Sequence, residues 1–152
     1  DGSGAVVLES VDGPGQLISW DLDADGSLLP ILQAEVGGFI RMEGKEVFRR
    51  AVRIMVDSAR KSMEHAGVTA DDIALIVPHQ ANVRIIDAAM SKLGIDREKV
   101  FVNLDRYGNT SAGSVPIALD EALRAGRIKR GDLLLLCGFG GGLSWGTALV
   151  RW

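Results

Sequence analysis

Ile73-Ala74-Leu75-Ile76-Val77-Pro78-His79-Gln80-Ala81-Asn82 decides how this chain is read. Five apolar residues in succession, rich in branched side chains, are the pattern of a strand buried on both faces. Pro78 ends it, and the following residues open a helix over 81–93 that Gly94 closes. A polar side chain, His79, therefore sits where strand gives way to helix. In open α/β sheets the carboxyl ends of strands are where ligands bind.

The same alternation runs outward. Val100-Phe101-Val102 begins a strand over 100–103, followed by a helix over 111–125 closed by Gly126. A strand over 132–137 comes next, then Gly140-Gly141-Gly142 and a final strand over 143–151, short enough in its link to pair antiparallel. Upstream, Val47, Phe48, Ala51, Val52, Met55, Ala59 and Met63 make one apolar face of a helix from Gly44 or Lys45 to Ala66, stopped by Gly67. Residues 23–42 show little period and read as loop. Residues 4–10 and 16–22 read as a hairpin joined by Asp12-Gly13-Pro14-Gly15. Strands alternating with helices imply a mainly parallel sheet with helices on its faces.

Composition narrows the class. The chain has 152 residues, 47% hydrophobic and 24% charged, with net charge −3. That suffices for one buried core and implies no broad nucleic-acid footprint. Arg49-Arg50 and Arg127, Lys129 and Arg130 read as solvated faces and loops. A single cysteine, Cys137, excludes an intrachain disulfide and fits a reducing compartment. No apolar run approaches the roughly 20 residues of a membrane span, and no signal peptide is visible, so the expected home is the cytoplasm. The opening Asp1-Gly2-Ser3-Gly4 lacks Met. Gly4-Ala5-Val6-Val7-Leu8-Glu9 echoes Gly146-Thr147-Ala148-Leu149-Val150-Arg151. The echo sets the expectation that the chain holds the tail of one structural repeat and a complete second one, an amino-terminal portion being absent.

Each candidate residue has a plain reading beside its functional one. His79 could be a structural histidine, yet the adjacent helix start disfavours imidazolium, and a neutral ring can donate to an oxyanion. Asn109, in Tyr107-Gly108-Asn109-Thr110-Ser111-Ala112-Gly113, is ordinary cap and turn chemistry or a second donor. The glycine run is a flexible link or a place where backbone N–H groups approach a ligand. Phe139 serves the core or a pocket mouth, and the residues alone leave both readings open. His65 caps a helix end. Cys137 lies inside Leu133-Leu134-Leu135-Leu136-Cys137, a buried strand, and is not an activated nucleophile. One cysteine and two histidines without clustered spacing make no metal site.

Val77-Pro78-His79-Gln80-Ala81-Asn82-Val83-Arg84, Asn103-Leu104-Asp105-Arg106-Tyr107-Gly108-Asn109-Thr110-Ser111-Ala112-Gly113-Ser114-Val115-Pro116 and Gly138-Phe139-Gly140-Gly141-Gly142-Leu143-Ser144-Trp145-Gly146 together closely resemble β-ketoacyl-[acyl-carrier-protein] synthase III. The resemblance covers essentially the whole chain and is weakest between about residues 12 and 40. It implies an α/β thiolase-like fold: a carboxyl half with a five-stranded mixed sheet flanked by helices. Residues 1–30 would be the final strands of an amino half, and 31–152 the carboxyl half.

It also implies a Cys-His-Asn triad in an acyltransferase that starts fatty-acid synthesis. His79 and Asn109 match the second and third members, while the Cys would lie in the amino half. Cys137 does not match it. The second cysteine of thiolases stands two residues before the first glycine of the turn, where this chain has Gly138, and neighbours in a strand face opposite ways. By the same resemblance Gly141 would contribute to an oxyanion hole. Asn82, Phe139 and Gly44 would line the channel for the CoA or carrier arm, and Arg84 would dock acyl carrier protein. CoA and carrier-protein thioesters would be substrates, with no cofactor or metal, no nucleic acid or membrane, and a homodimer as the expected assembly. Elongating synthases carry a second histidine where Asn109 stands, and chalcone-type synthases show His-Pro-Gly-Gly in place of His79-Gln80-Ala81-Asn82. Starter-unit enzymes of polyketide or alkylquinolone pathways share the motifs. A non-catalytic half that binds carrier protein is the reading from another class.

Overall fold

A computed structural model describes residues 1–13 and 15–152. Its centre is a mixed sheet of four strands in the order β1-β6-β5-β4: β1 (Leu17–Ala24), β4 (Leu75–Pro78), β5 (Leu133–Gly140) and β6 (Ser144–Arg151). β4 and β5 run parallel, and β5–β6 and β1–β6 antiparallel. The two parallel strands, β4 and β5, alternate sides although both look uniformly apolar in sequence. Ile76, Leu133, Leu135 and Cys137 face one core cluster, whereas Leu75, Val77 and Leu134 face another. Both faces are covered, so each alternate position is apolar.

The first cluster lies beneath α1 (Gly44–Ala66) and α2 (Val83–Leu93). On α1, Val47, Ala51, Val52, Met55, Val56, Ala59 and Met63 are buried at helical spacing. Gly67 closes α1 at φ 66°, its N–H reaching Met63 and Glu64 carbonyls, and Gly94 closes α2 likewise. Ser19 of β1 donates to the Ser62 carbonyl and Ser58 pairs with Thr147 beneath α1, while the Ser62 hydroxyl is buried without a partner among the described residues. After the short helix α3 (Leu104–Tyr107), the second cluster lies beneath α4 (Ser114–Arg124), through Ala118 and Ala122. α4 covers β4 and β5 only, and Trp20 and Leu22 of β1 are exposed on that side.

Four expectations need correction. The sheet has four strands rather than five, because the segment at Val100 makes a single bridge to Ile76. Phe101 N–H reaches the Ile76 carbonyl at 2.9 Å. The next rung would need an N–H on Pro78, which proline lacks. Gln80 Nε2 donates to the Phe101 carbonyl instead, at 3.3 Å. Secondly, residues 4–10 form no strand; β1 takes the edge of β6, and the turn residue Pro14 lies outside the described residues. β1, grouped by sequence with an amino half, is thus hydrogen-bonded to the last strand of this sheet.

Thirdly, residues 23–42 are not simply loop. A 3-10 turn over Gly26–Ile31 leads into β2 (Leu32–Ala34), paired antiparallel with β3 (Ile40–Met42). Fourthly, the helices over 81–93 and 111–125 start late. Asn82 caps α2, and a 3-10 turn at Ser111–Gly113 precedes α4. No described helix is long and apolar enough to cross a membrane.

Candidate functional site

A cavity of about 1320 Å³ opens at the carboxyl ends of β4 and β5. Every residue to which the resemblance gives a role lines it: Gly44, His79, Asn82, Arg84, Asn109, Phe139 and Gly141. Its roof comes from Leu32, Ile40 and Met42 of the β2–β3 hairpin.

His79 is held from three directions. Its N–H donates to the Cys137 carbonyl at 2.7 Å, one residue past the last β4–β5 pair. Its Nδ1 lies 2.6 Å from Ser114 Oγ. The Phe139 ring meets it edge-on, with centroids 5.6 Å apart. Burial pushes the imidazole below its ordinary value of 6.5, because a charged ring would lose water there. The sequence argument placed that effect on the helix start; α2 begins only at Val83, and desolvation is the cause found. At neutral pH the ring is an uncharged donor or acceptor, and Nε2 is the ring nitrogen without a hydrogen-bond partner among the described residues.

Asn109 is exposed and held locally. Its Oδ1 accepts Ser111 N–H at 2.9 Å, which leaves the amide NH2 group free to donate. A local turn bond and a free donor therefore coexist in one side chain, while Thr110 takes the cap position of the 3-10 turn that follows. Ser111 sits at φ 52°, a left-handed conformation that costs a non-glycine residue about 1–2 kcal/mol. Such strain in a cavity wall needs support from its surroundings.

That support comes from residues that motif reading passed over. Gln80, 1% exposed, donates to the Pro78 carbonyl at 2.7 Å and accepts Asn103 N–H at 3.1 Å. Asn103 Nδ2 in turn donates to Glu121 of α4 at 2.8 Å. Glu121 also receives both Arg106 guanidinium nitrogens, at 3.0 and 2.7 Å, and the Tyr107 hydroxyl. Those donors, the Tyr107 hydroxyl first, hold its carboxyl below the usual range. Ser114 is the other omission. A serine at a helix start reads as a cap, and only the fold brings it under His79.

The remaining residues divide by their contacts. Asn82 lines the cavity, and its Oδ1 accepts Arg84 N–H at 2.9 Å. Arg84 is exposed, stacks over Phe48 at 5.7 Å, and forms no salt bridge among the described residues. Gly141 is exposed in the β5–β6 turn, where an added Cβ would stand 3.3 Å from the Leu32 carbonyl. Gly44 is the first residue of α1. Cys137 is 3% exposed, and burial raises its thiol to about 12. It does not line this cavity. His65 is exposed in the last turn of α1. The walls thus include an uncharged imidazole and a carboxamide with a free NH2 group, with no activated thiol among the described residues.

Known proteins share this arrangement of sequence and fold. The sequence model described as 3-oxoacyl-[acyl-carrier-protein (ACP)] synthase III C terminal matches residues 63–152. The β-ketoacyl-[acyl-carrier-protein] synthase III of Aquifex aeolicus is 50% identical over 152 residues, covering all of this chain and 49% of that protein. That of Rhodopirellula baltica is 51% identical over 155 residues, covering all of this chain and 44% of that protein. The crystal structure of the Aquifex aeolicus synthase superposes with a TM-score of 0.91 at 49% identity, over 94% of this chain and 46% of that one. The Thermus thermophilus synthase gives 0.89 at 45% identity, over 95% and 49%. The chain spans about half the length of the curated relatives it matches. Its fold is the thiolase-like mixed α/β fold of these synthases.

Proposed function

The chain belongs to the 3-oxoacyl-[acyl-carrier-protein] synthase III family, and on that premise we propose that it supplies the enolate-stabilising half of a condensing active site. The carrying observation is the cavity that brings together half-buried, uncharged His79 and Asn109 with a free amide NH2. The reaction is decarboxylative Claisen condensation. An acyl group passes from acyl-CoA to a cysteine thiolate outside this chain, with CoA thiol released. Malonyl-acyl carrier protein then loses carbon dioxide, and the electron pair of the broken C–C bond moves onto the thioester oxygen. His79 Nε2–H and Asn109 Nδ2–H donate to that enolate oxygen. The enolate carbon attacks the acyl-cysteine carbonyl, whose tetrahedral oxyanion is met by backbone N–H groups including Gly141, and the cysteine thiolate departs.

The wider assignment follows from the same reading. Residues 1–30 belong to the end of an amino-terminal half, which carries the cysteine; the support lies chiefly in residues 1–11, whose Val6, Val7, Leu8 and Val11 are exposed and unpaired with any strand. Arg84, exposed and free of carboxylate partners, suits an acidic carrier protein, and Asn82, Phe139 and Gly44 border the path of its thioester arm. The enzyme works in the cytoplasm as a homodimer and needs no cofactor.

The test uses the full-length protein that contains this chain. His79→Ala or Asn109→Ala lowers malonyl-carrier decarboxylation roughly 10²–10³-fold, the usual cost of removing an oxyanion donor, while acyl transfer to cysteine stays within a few-fold. Equal loss in both steps contradicts the assignment. The purified 152-residue chain alone is expected to show no condensation.

A further inference from the structure

Ser114 is the first residue of α4 and only 1% exposed, so no bulk water reaches its hydroxyl. Its Oγ has two partners among the described residues. Gln80 N–H donates to it at 3.2 Å, and His79 Nδ1 lies 2.6 Å away. The first contact uses an acceptor lone pair and leaves the hydroxyl hydrogen to be placed. A protonated Nδ1 would point a second donor at the same oxygen, and the hydroxyl hydrogen would have no acceptor. With Nδ1 bare, the hydroxyl donates to it and every group is satisfied.

We propose that Ser114 is a positioning residue that holds His79 in the tautomer carrying its proton on Nε2, and thereby fixes which ring atom donates into the cavity. Nε2 is the ring nitrogen with no protein partner, and it is not among the buried unpaired atoms, so it opens into the space His79 lines. The Cys137 carbonyl and the Phe139 ring set where the imidazole sits, but neither touches Nδ1. Proton placement rests on one hydroxyl. The same hydrogen bond disfavours imidazolium, since a doubly protonated ring would again strand the Ser114 hydrogen. This inference deepens the role proposed for His79 and rests on it for its catalytic meaning, though not for the tautomer itself.

The test is long-range ¹H–¹⁵N correlation of imidazole nitrogens in the full-length protein, His79 being assigned by signals lost in His79→Gln. The wild type is expected to show a bare Nδ1 and a protonated Nε2 at neutral pH. Ser114→Ala should mix the tautomers, move the acid limb of decarboxylation to higher pH and lower kcat with KM held. Ser114→Thr, which keeps the hydroxyl, should restore the single tautomer. A protonated Nδ1 in the wild type overturns the proposal, as does an unchanged tautomer in Ser114→Ala. If the tautomer responds to Ser114→Ala but decarboxylation does not, the assignment of Ser114 stands and the enolate role of His79 fails.

Discussion

His79 and Asn109 line one cavity but are held in place by different physics. His79 is a continuation of the sheet: its backbone extends the β4–β5 pairing, its ring is half-buried against Phe139, and Ser114 occupies Nδ1. Asn109 stands on an exposed turn with a left-handed serine two residues on, and its orientation depends on one local hydrogen bond. The sheet gives the histidine its position at no extra cost. The asparagine loop must be braced from behind, by Glu121 gathering Asn103, Arg106 and Tyr107. α4 serves both, presenting Ser114 to one loop and Glu121 to the other.

Gln80 is where the two loops join, and changing it should have the largest effect on folding. Gln80→Met keeps the volume but strands the Phe101 carbonyl and Asn103 N–H in a buried site. The expected loss is about 3 kcal/mol by denaturant unfolding. A loss under about 1 kcal/mol would mean the loops are anchored separately. Glu121→Gln should act on one side of the comparison only, costing about 1 kcal/mol at this partly exposed network. Amide exchange should quicken over residues 104–112 and stay unchanged at His79. Equal quickening at both would erase the distinction.

The smallest effect is the pH signature of His79. Its folded value lies below the unfolded one, so the unfolded chain binds the proton first as pH falls. Stability contributed by neutral His79 is complete above about 6.5 and declines as pH drops through that value toward its lowered folded one. His79→Gln should flatten that segment of the stability–pH curve, measured by denaturant titration across pH 4–8. The Glu121 carboxyl acts lower, losing its share only as pH falls toward its own depressed value.

Long periodic elements were legible in the sequence. α1 repeats its apolar face for six turns and ends in glycine, and β5 and β6 flank a glycine run that can only be a tight return. Elements defined by partners were not. β2 and β3 are three residues each, too short to show a period. The run at 4–10 looks like a strand, but a strand is defined by its hydrogen-bonded partner, and none pairs with this run among the described residues. The 100–103 segment lost its ladder to the missing N–H of Pro78. His79 and Asn109 could be singled out as candidates because polar residues that follow apolar runs stand out, and both line the cavity. Ser114 and Glu121 could not, because serine at a helix start and glutamate on a helix are what any helix carries.

The central claim is that these two differently anchored side chains serve one oxygen. A double-mutant cycle on malonyl-carrier decarboxylation in the full-length protein, with His79→Ala, Asn109→Ala and the pair, tests it directly. Donors that share an enolate oxygen should couple, so the double variant is predicted to lose clearly less than the product of the two single losses. A loss equal to that product would show two independent tasks and contradict the account.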